Sequence, residues 1–187
     1  MMCASEKSGL NCRAVLNEDI AAFISPFASE RNKVRKLFKK DEFILAEGNS
    51  KAIDSEVEIE SNNFEYDKLK EIIHAKGNVI INNKKEKYSI YSDNITYNKN
   101  SQKIFAKNNS KIISDGLLIE ANIFNYDLVL NIIEAKNKVK IDDKIENFIL
   151  ETNYINYDKI NELIFTRGRT KALVESRYEF ISRNVFL

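Results

Sequence analysis

Val57-Glu58-Ile59-Glu60-Ser61-Asn62-Asn63-Phe64-Glu65-Tyr66-Asp67 passes through Lys68-Leu69-Lys70-Glu71 into Ile72-Ile73-His74-Ala75-Lys76-Gly77-Asn78-Val79-Ile80-Ile81. Apolar Val57 and Ile59 alternate with Glu58 and Glu60, the period of a strand with one buried face. Phe64 and Tyr66 continue the alternation, but the step from Ile59 to Phe64 is odd. One residue must therefore be absorbed by a bulge or bend near Asn62, which turns the strand round a corner. After Tyr66-Asp67 a short polar connection reads as a hairpin turn. The return strand carries Ile73, Ala75, Gly77, Val79 and Ile81 on one face.

This unit recurs along the chain. Tyr66-Asp67 is followed by Tyr97-Asn98, Tyr126-Asp127 and Tyr157-Asp158, at spacings of 31, 29 and 31 residues. Ala75-Lys76-Gly77-Asn78 recurs as Ala106-Lys107-Asn108-Asn109, Ala135-Lys136-Asn137-Lys138 and Thr166-Arg167-Gly168-Arg169, and Ala46-Glu47-Gly48-Asn49 precedes them. A fixed period in this range means stacked supersecondary units. The alternating pairs are Tyr88 and Ile90, Leu117 and Ile119, and Phe148 and Leu150. The corresponding bends fall near Asp93, Asn122 and Asn153, where Asn and Asp tolerate left-handed backbone. Small residues in the Ala and Gly columns either leave room beside bulky neighbours or fit a tight corner. The pattern predicts an all-β fold of antiparallel strand units of about 30 residues.

Repeats begin near Phe43, where Ile44, Ala46, Gly48, Ser50 and Ala52 match the return strand, and run to Leu187. We expect one β domain over residues 43–187 and an irregular or partly helical extension over 1–42. Tyr178, Phe180, Val185 and Leu187 match Phe148, Leu150, Ile155 and Tyr157. The last unit thus stops where a return strand would follow, which predicts a truncated, unpaired edge. Asn32 to Lys40 is basic, reading either as a patch for anionic lipid or as a solvated lead-in.

The chain has 187 residues, 43% hydrophobic and 30% charged, with a formal net charge of +1. That balance fits a globular core and gives no global field for nucleic acid. Cys3 and Cys12 lie outside the repeats and make no disulfide framework. No apolar run is long enough for a membrane helix. The first 40 residues lack the basic start and apolar stretch of a secretory leader.

The apolar–acidic alternation, the Tyr66-Asp67 turn and Ala75-Lys76-Gly77-Asn78-Val79 together resemble the OstA-like repeat of lipopolysaccharide transport proteins. That family includes LptA, LptC and the periplasmic N-terminal domain of LptD. The resemblance covers about Phe43 to Leu187, with Asn108 and Asn137 where Gly is expected and Arg169 where Asn is expected. It implies an open twisted β-jellyroll whose apolar interior holds lipid A acyl chains. It also implies neighbouring Lpt jellyrolls joined by edge-strand pairing, and a periplasmic, outer-membrane-associated location. An LptD-type domain with a missing C-terminal barrel is the expected member. An LptA-type bridge comes next, and LptC is disfavoured without an N-terminal membrane helix.

The inward columns are the expected lipid groove: Ile59, Phe64, Ile73, Ile90, Ile95, Ile119, Phe124, Ile133, Leu150 and Ile155. The alternative is that they pack on one another and leave no space. No catalytic group, cofactor or metal is expected. His74, the sole histidine, lies on the face opposite Ile73 and Ala75 and reads as solvent-facing. There is no Cys/His cluster with metal spacing, no phosphate loop and no nucleophile elbow. A purely structural β-solenoid scaffold would explain the repeat equally well and predicts a filled interior.

Overall fold

A computed structural model describes residues 23–24, 36–40, 42–53 and 57–187. The strands are β1 (Phe23–Ile24), β2 (Lys36–Lys40), β3 (Phe43–Ile53), β4 (Val57–Asp67), β5 (Ile72–Asn83), β6 (Tyr88–Asn98) and β7 (Lys103–Ser114). Then come β8 (Leu117–Asp127), β9 (Ile132–Asp143), β10 (Phe148–Asp158), β11 (Leu163–Thr166), β12 (Thr170–Val174) and β13 (Tyr178–Ser182). All belong to one antiparallel sheet, in which β3 to β10 pair in chain order as a meander. This is the all-β fold that the repeat predicts and the open jellyroll that the resemblance implies. The two cysteines and most of the 1–42 extension lie outside the described residues. Within that extension, β1 and β2 pair with β3.

Each long strand bends in its middle, so the sheet folds into two facing halves. Half A contains Val57–Ser61, Val79–Asn83, Tyr88–Ser92 and their counterparts. Half B contains Phe64–Asp67, Ile72–Lys76, Asn94–Asn98 and theirs. The ladder is interrupted between Glu60 and Asn63, Tyr91 and Asn94, Glu120 and Ile123, and Thr152 and Tyr154. These are the bends expected near Asn62, Asp93, Asn122 and Asn153. The left-handed residues, however, sit on the opposite strand of each pair. They are Gly48-Asn49, Gly77-Asn78, Asn108-Asn109 and Asn137-Lys138. The return strand places one more residue in the bend than the outgoing strand, and the extra residue is accommodated by positive φ.

That geometry explains the Gly/Asn column. Gly77 has φ +76, and a Cβ there would come within 2.8 Å of the Asn62 side-chain nitrogen. Asn108 and Asn137 hold the same conformation at φ 67 and 64, which Asn tolerates best among residues with a Cβ. At Gly168, between β11 and β12, φ is +93 and the strand is split outright.

The inner side of the bend is lined by buried hydroxyls. Ser92 Oγ lies 2.8 Å from Ser110 Oγ and 3.0 Å from the Lys107 carbonyl. Thr152, Thr170 and Thr166 form a similar chain at 3.0 and 2.8 Å. The bulge withdraws carbonyls from the ladder, and these hydroxyls partner them. Ser50 Oγ, by contrast, is buried without a partner. Ser92→Ala is therefore expected to cost about 1–3 kcal/mol, whereas Ser50→Ala should be neutral or stabilising. Urea unfolding of both variants checks this, and equal losses would disprove it.

The repeated Asp after Tyr is a turn device. Asp67 Oδ1 accepts from the Leu69 and Lys70 backbone N–H at 3.1 and 3.0 Å. Asp127 and Asp158 do the same with Val129 and Leu130, and with Ile160 and Asn161. Asn98 replaces the carboxylate in its turn, accepting from Ser101. The backbone hydrogen bond from Lys70 holds the Asp67 carboxyl below the ordinary range, and that from Leu130 does so for Asp127. In Asp158 the leading cause is the Asn161 side chain. A depressed folded value gives stability that is present above the unfolded value, about pH 4. It is lost as pH falls through the folded value. We expect stability to drop below about pH 4 and Asp127→Asn to flatten part of that drop. An unchanged acid limb in urea titrations of the variant would contradict this.

Candidate functional site

The ten inward residues expected to line a groove are all buried in one core cluster, from Ile119, Leu150 and Ile155 at 0% exposure to Ile73 at 9%. Those nearest the bend are packed solidly. Phe124 stands between Ala106 and Ala135 on adjacent strands, and Phe64 between Ala46 and Ala75. Ile95 stands between Ala75 and Ala106. The alanine columns thus make room for bulky neighbours at the corner.

Space opens further out, where the strand ends of the two halves face each other. A cavity of about 660 Å³ lies between them. Of the ten expected residues, Ile119 and Ile133 line it. Ile112, Leu117, Phe148 and Val174 join them from half A, and Tyr126, Tyr157 and Ile164 from half B. Position in the sequence repeat did reveal that Leu117, Phe148, Tyr126 and Tyr157 point inward. It could not reveal that strand ends, rather than strand centres, border the void.

The rim of the cavity is charged. Glu86, Asp115, Asp143 and Glu146 stand on the half A side, and Glu162 and Lys159 on the half B side. Lys159 Nζ donates to Tyr126 Oη at 3.2 Å and lies 5.6 and 5.5 Å from the ring centres of Tyr88 and Tyr126. Burial lowers the Lys159 pKa, partly offset by Glu86 and Asp115. Burial also pushes the Tyr88 hydroxyl up to about 12. Both tyrosines therefore stay neutral across the physiological range.

Elsewhere the polar groups do structural work. His74 is on the outer face, its Nδ1 3.0 Å from Thr96 Oγ1. Among the described residues no group of three or more His, Cys, Asp or Glu could hold a metal ion. Among them, too, no helix is long and apolar enough to cross a membrane.

A single sheet folded into two facing halves, with a cavity between them at the strand ends, defines the class as an open β-jellyroll. A model of the family described as "Lipopolysaccharide-assembly, LptC-related" matches residues 31–146, and the chain belongs to that family. The fold is similar to the crystal structure of LptH from Pseudomonas aeruginosa. That protein is described as the LptA homologous periplasmic component of the conserved lipopolysaccharide transport device. The likeness has a TM-score of 0.51 at 17% identity and covers 57% of this chain and 81% of that one. No curated protein matches the chain. The family that matches is LptC-related, where the resemblance to the OstA-like repeat placed an LptD-type domain first among the expected members.

Proposed function

We propose that this chain is an LptC/LptA-like module of the periplasmic lipopolysaccharide bridge, holding acyl chains in the cavity between its two half-sheets. The observation that carries this is the cavity itself, walled by apolar side chains from both halves and open at the strand ends. At about 660 Å³ it has the size of a small-ligand site. A buried methylene gains roughly 0.8 kcal/mol, so apolar tails alone supply the affinity. The phosphorylated sugar stays in water, since enclosing its charges would cost several kcal/mol each. The acidic rim also repels a bare phosphate, so the head group stands clear of it.

The sheet edges suit the bridge role. Among the described residues β13 pairs only with β12, and its Tyr178, Phe180 and Ile181 are exposed. An edge of this kind accepts a strand from a neighbouring Lpt jellyroll. The LptC-related match favours the bridge reading over an LptD-type domain joined to a barrel.

A photocrosslinking residue at Leu117 or Phe148 tests the reading. Both line the cavity and are half-buried, whereas Phe64 and Phe124 are packed too deeply to report on it. Labelled lipopolysaccharide should be captured at these positions and not at exposed Glu120 on the outer face. Capture at neither cavity position would leave a structural scaffold as the better description.

A further inference from the structure

Among the described residues none before Glu86 lines this cavity, although β4 and β5 continue the same sheet. At its N-terminal limit stand Tyr88 and Tyr126, 3% and 2% exposed. Tyr88 pairs with Asn83 and Ser114 in half A, while Tyr126 pairs with Ile104 and Ile133 in half B. Their rings nevertheless meet edge to face, with centroids 5.5 Å apart. That contact can only be made across the space between the halves. Lys159 lies over both rings from the turn after β10.

The repeat shows why this happens once. Tyr88 occupies the column that holds Val57, Leu117 and Phe148 in the other units. Leu117 and Phe148 border open space, and Tyr157 in the Tyr126 column does too. Where Tyr replaces Leu, the ring reaches the opposite wall. Edge-to-face packing of two buried rings then adds to the apolar gain and holds them in place.

Resting on the acyl-chain reading above, we propose that Tyr88 and Tyr126 form a stop across the trough that limits the length of apolar chain the cavity accepts. Chains enter from the C-terminal side and end against the ring pair. Tyr88 is thus a specificity-determining residue, set by one departure from the repeat.

The experiment titrates the whole chain with n-alkyl maltosides of increasing length, each below its micellar concentration. Their neutral head avoids the acidic rim. Affinity should rise roughly fourfold per added methylene, then level off at a break length. Tyr88→Leu, which copies the Leu117 position, should move the break to longer chains. Chains beyond the original break should gain roughly 15-fold, the worth of about two further methylenes. Tyr88→Phe keeps the ring and should keep the break. Tyr126→Leu removes the other ring and should reproduce the Tyr88→Leu result, so the idea stays testable if either leucine variant folds poorly. A rise with an unchanged break in both leucine variants overturns the stop alone. No rise with chain length in any protein overturns the acyl-chain reading and the stop with it.

Discussion

Phe124→Ala is expected to lower the unfolding free energy by about 3–5 kcal/mol. Phe124 is 1% exposed and fills the space over Ala106 and Ala135 on its two neighbouring strands. Neither alanine can grow to replace it, and both strands are fixed by paired neighbours on either side. The vacated volume therefore stays largely empty, which adds a cavity term to the lost transfer energy. A domain of this size has a total stability of roughly 5–15 kcal/mol, so one substitution removes a large part of it. Urea unfolding followed by far-UV circular dichroism measures the change. Ile160→Ala, in an exposed turn, is the comparison and should shift stability by no more than about 0.5 kcal/mol. A Phe124 loss under about 1 kcal/mol would mean that the corner is not packed as described.

Leu117→Asp should weaken binding of an alkyl chain by about 100-fold or more while leaving the fold intact. Leu117 is half-buried and lines the cavity. The substitution removes apolar wall and forces a carboxylate to lose water whenever a chain enters. Those two costs together reach roughly 3 kcal/mol, and each 1.4 kcal/mol is a factor of ten. The free protein is affected little, because the carboxylate is hydrated when the cavity is empty. Ile113→Asp is the control, since Ile113 is 40% exposed and does not line the cavity. It should leave alkyl-chain affinity unchanged. Equal losses for both variants would place chain binding outside this cavity.

The two variants probe different parts of one interior. Near the bend, alternating large and small columns close the core. Toward the strand ends the halves diverge and the same columns border a void. An inward position is therefore not by itself a ligand position. Phe64 and Leu117 face the same interior, yet one fills the corner and the other borders the opening.

The strands, their inward faces, the positions of the bends and the Tyr-Asp turns were all legible in the chain. Each depends on neighbours within a few residues: side-chain parity along a strand, the reach of an Asp oxygen to the N–H groups ahead of it, and the tolerance of Gly and Asn for positive φ. Tertiary structure alone decided three other things. The left-handed pairs fell on the return strands, because the bend needs an extra residue opposite Asn62 and its counterparts. The alanine columns closed the corner and the opening moved to the strand ends, because that depends on where the two halves diverge. Tyr88 met Tyr126, two strands away, because the bend carries one half of the sheet over the other. Which residues then face each other depends on how the halves meet, which no local pattern of residues encodes.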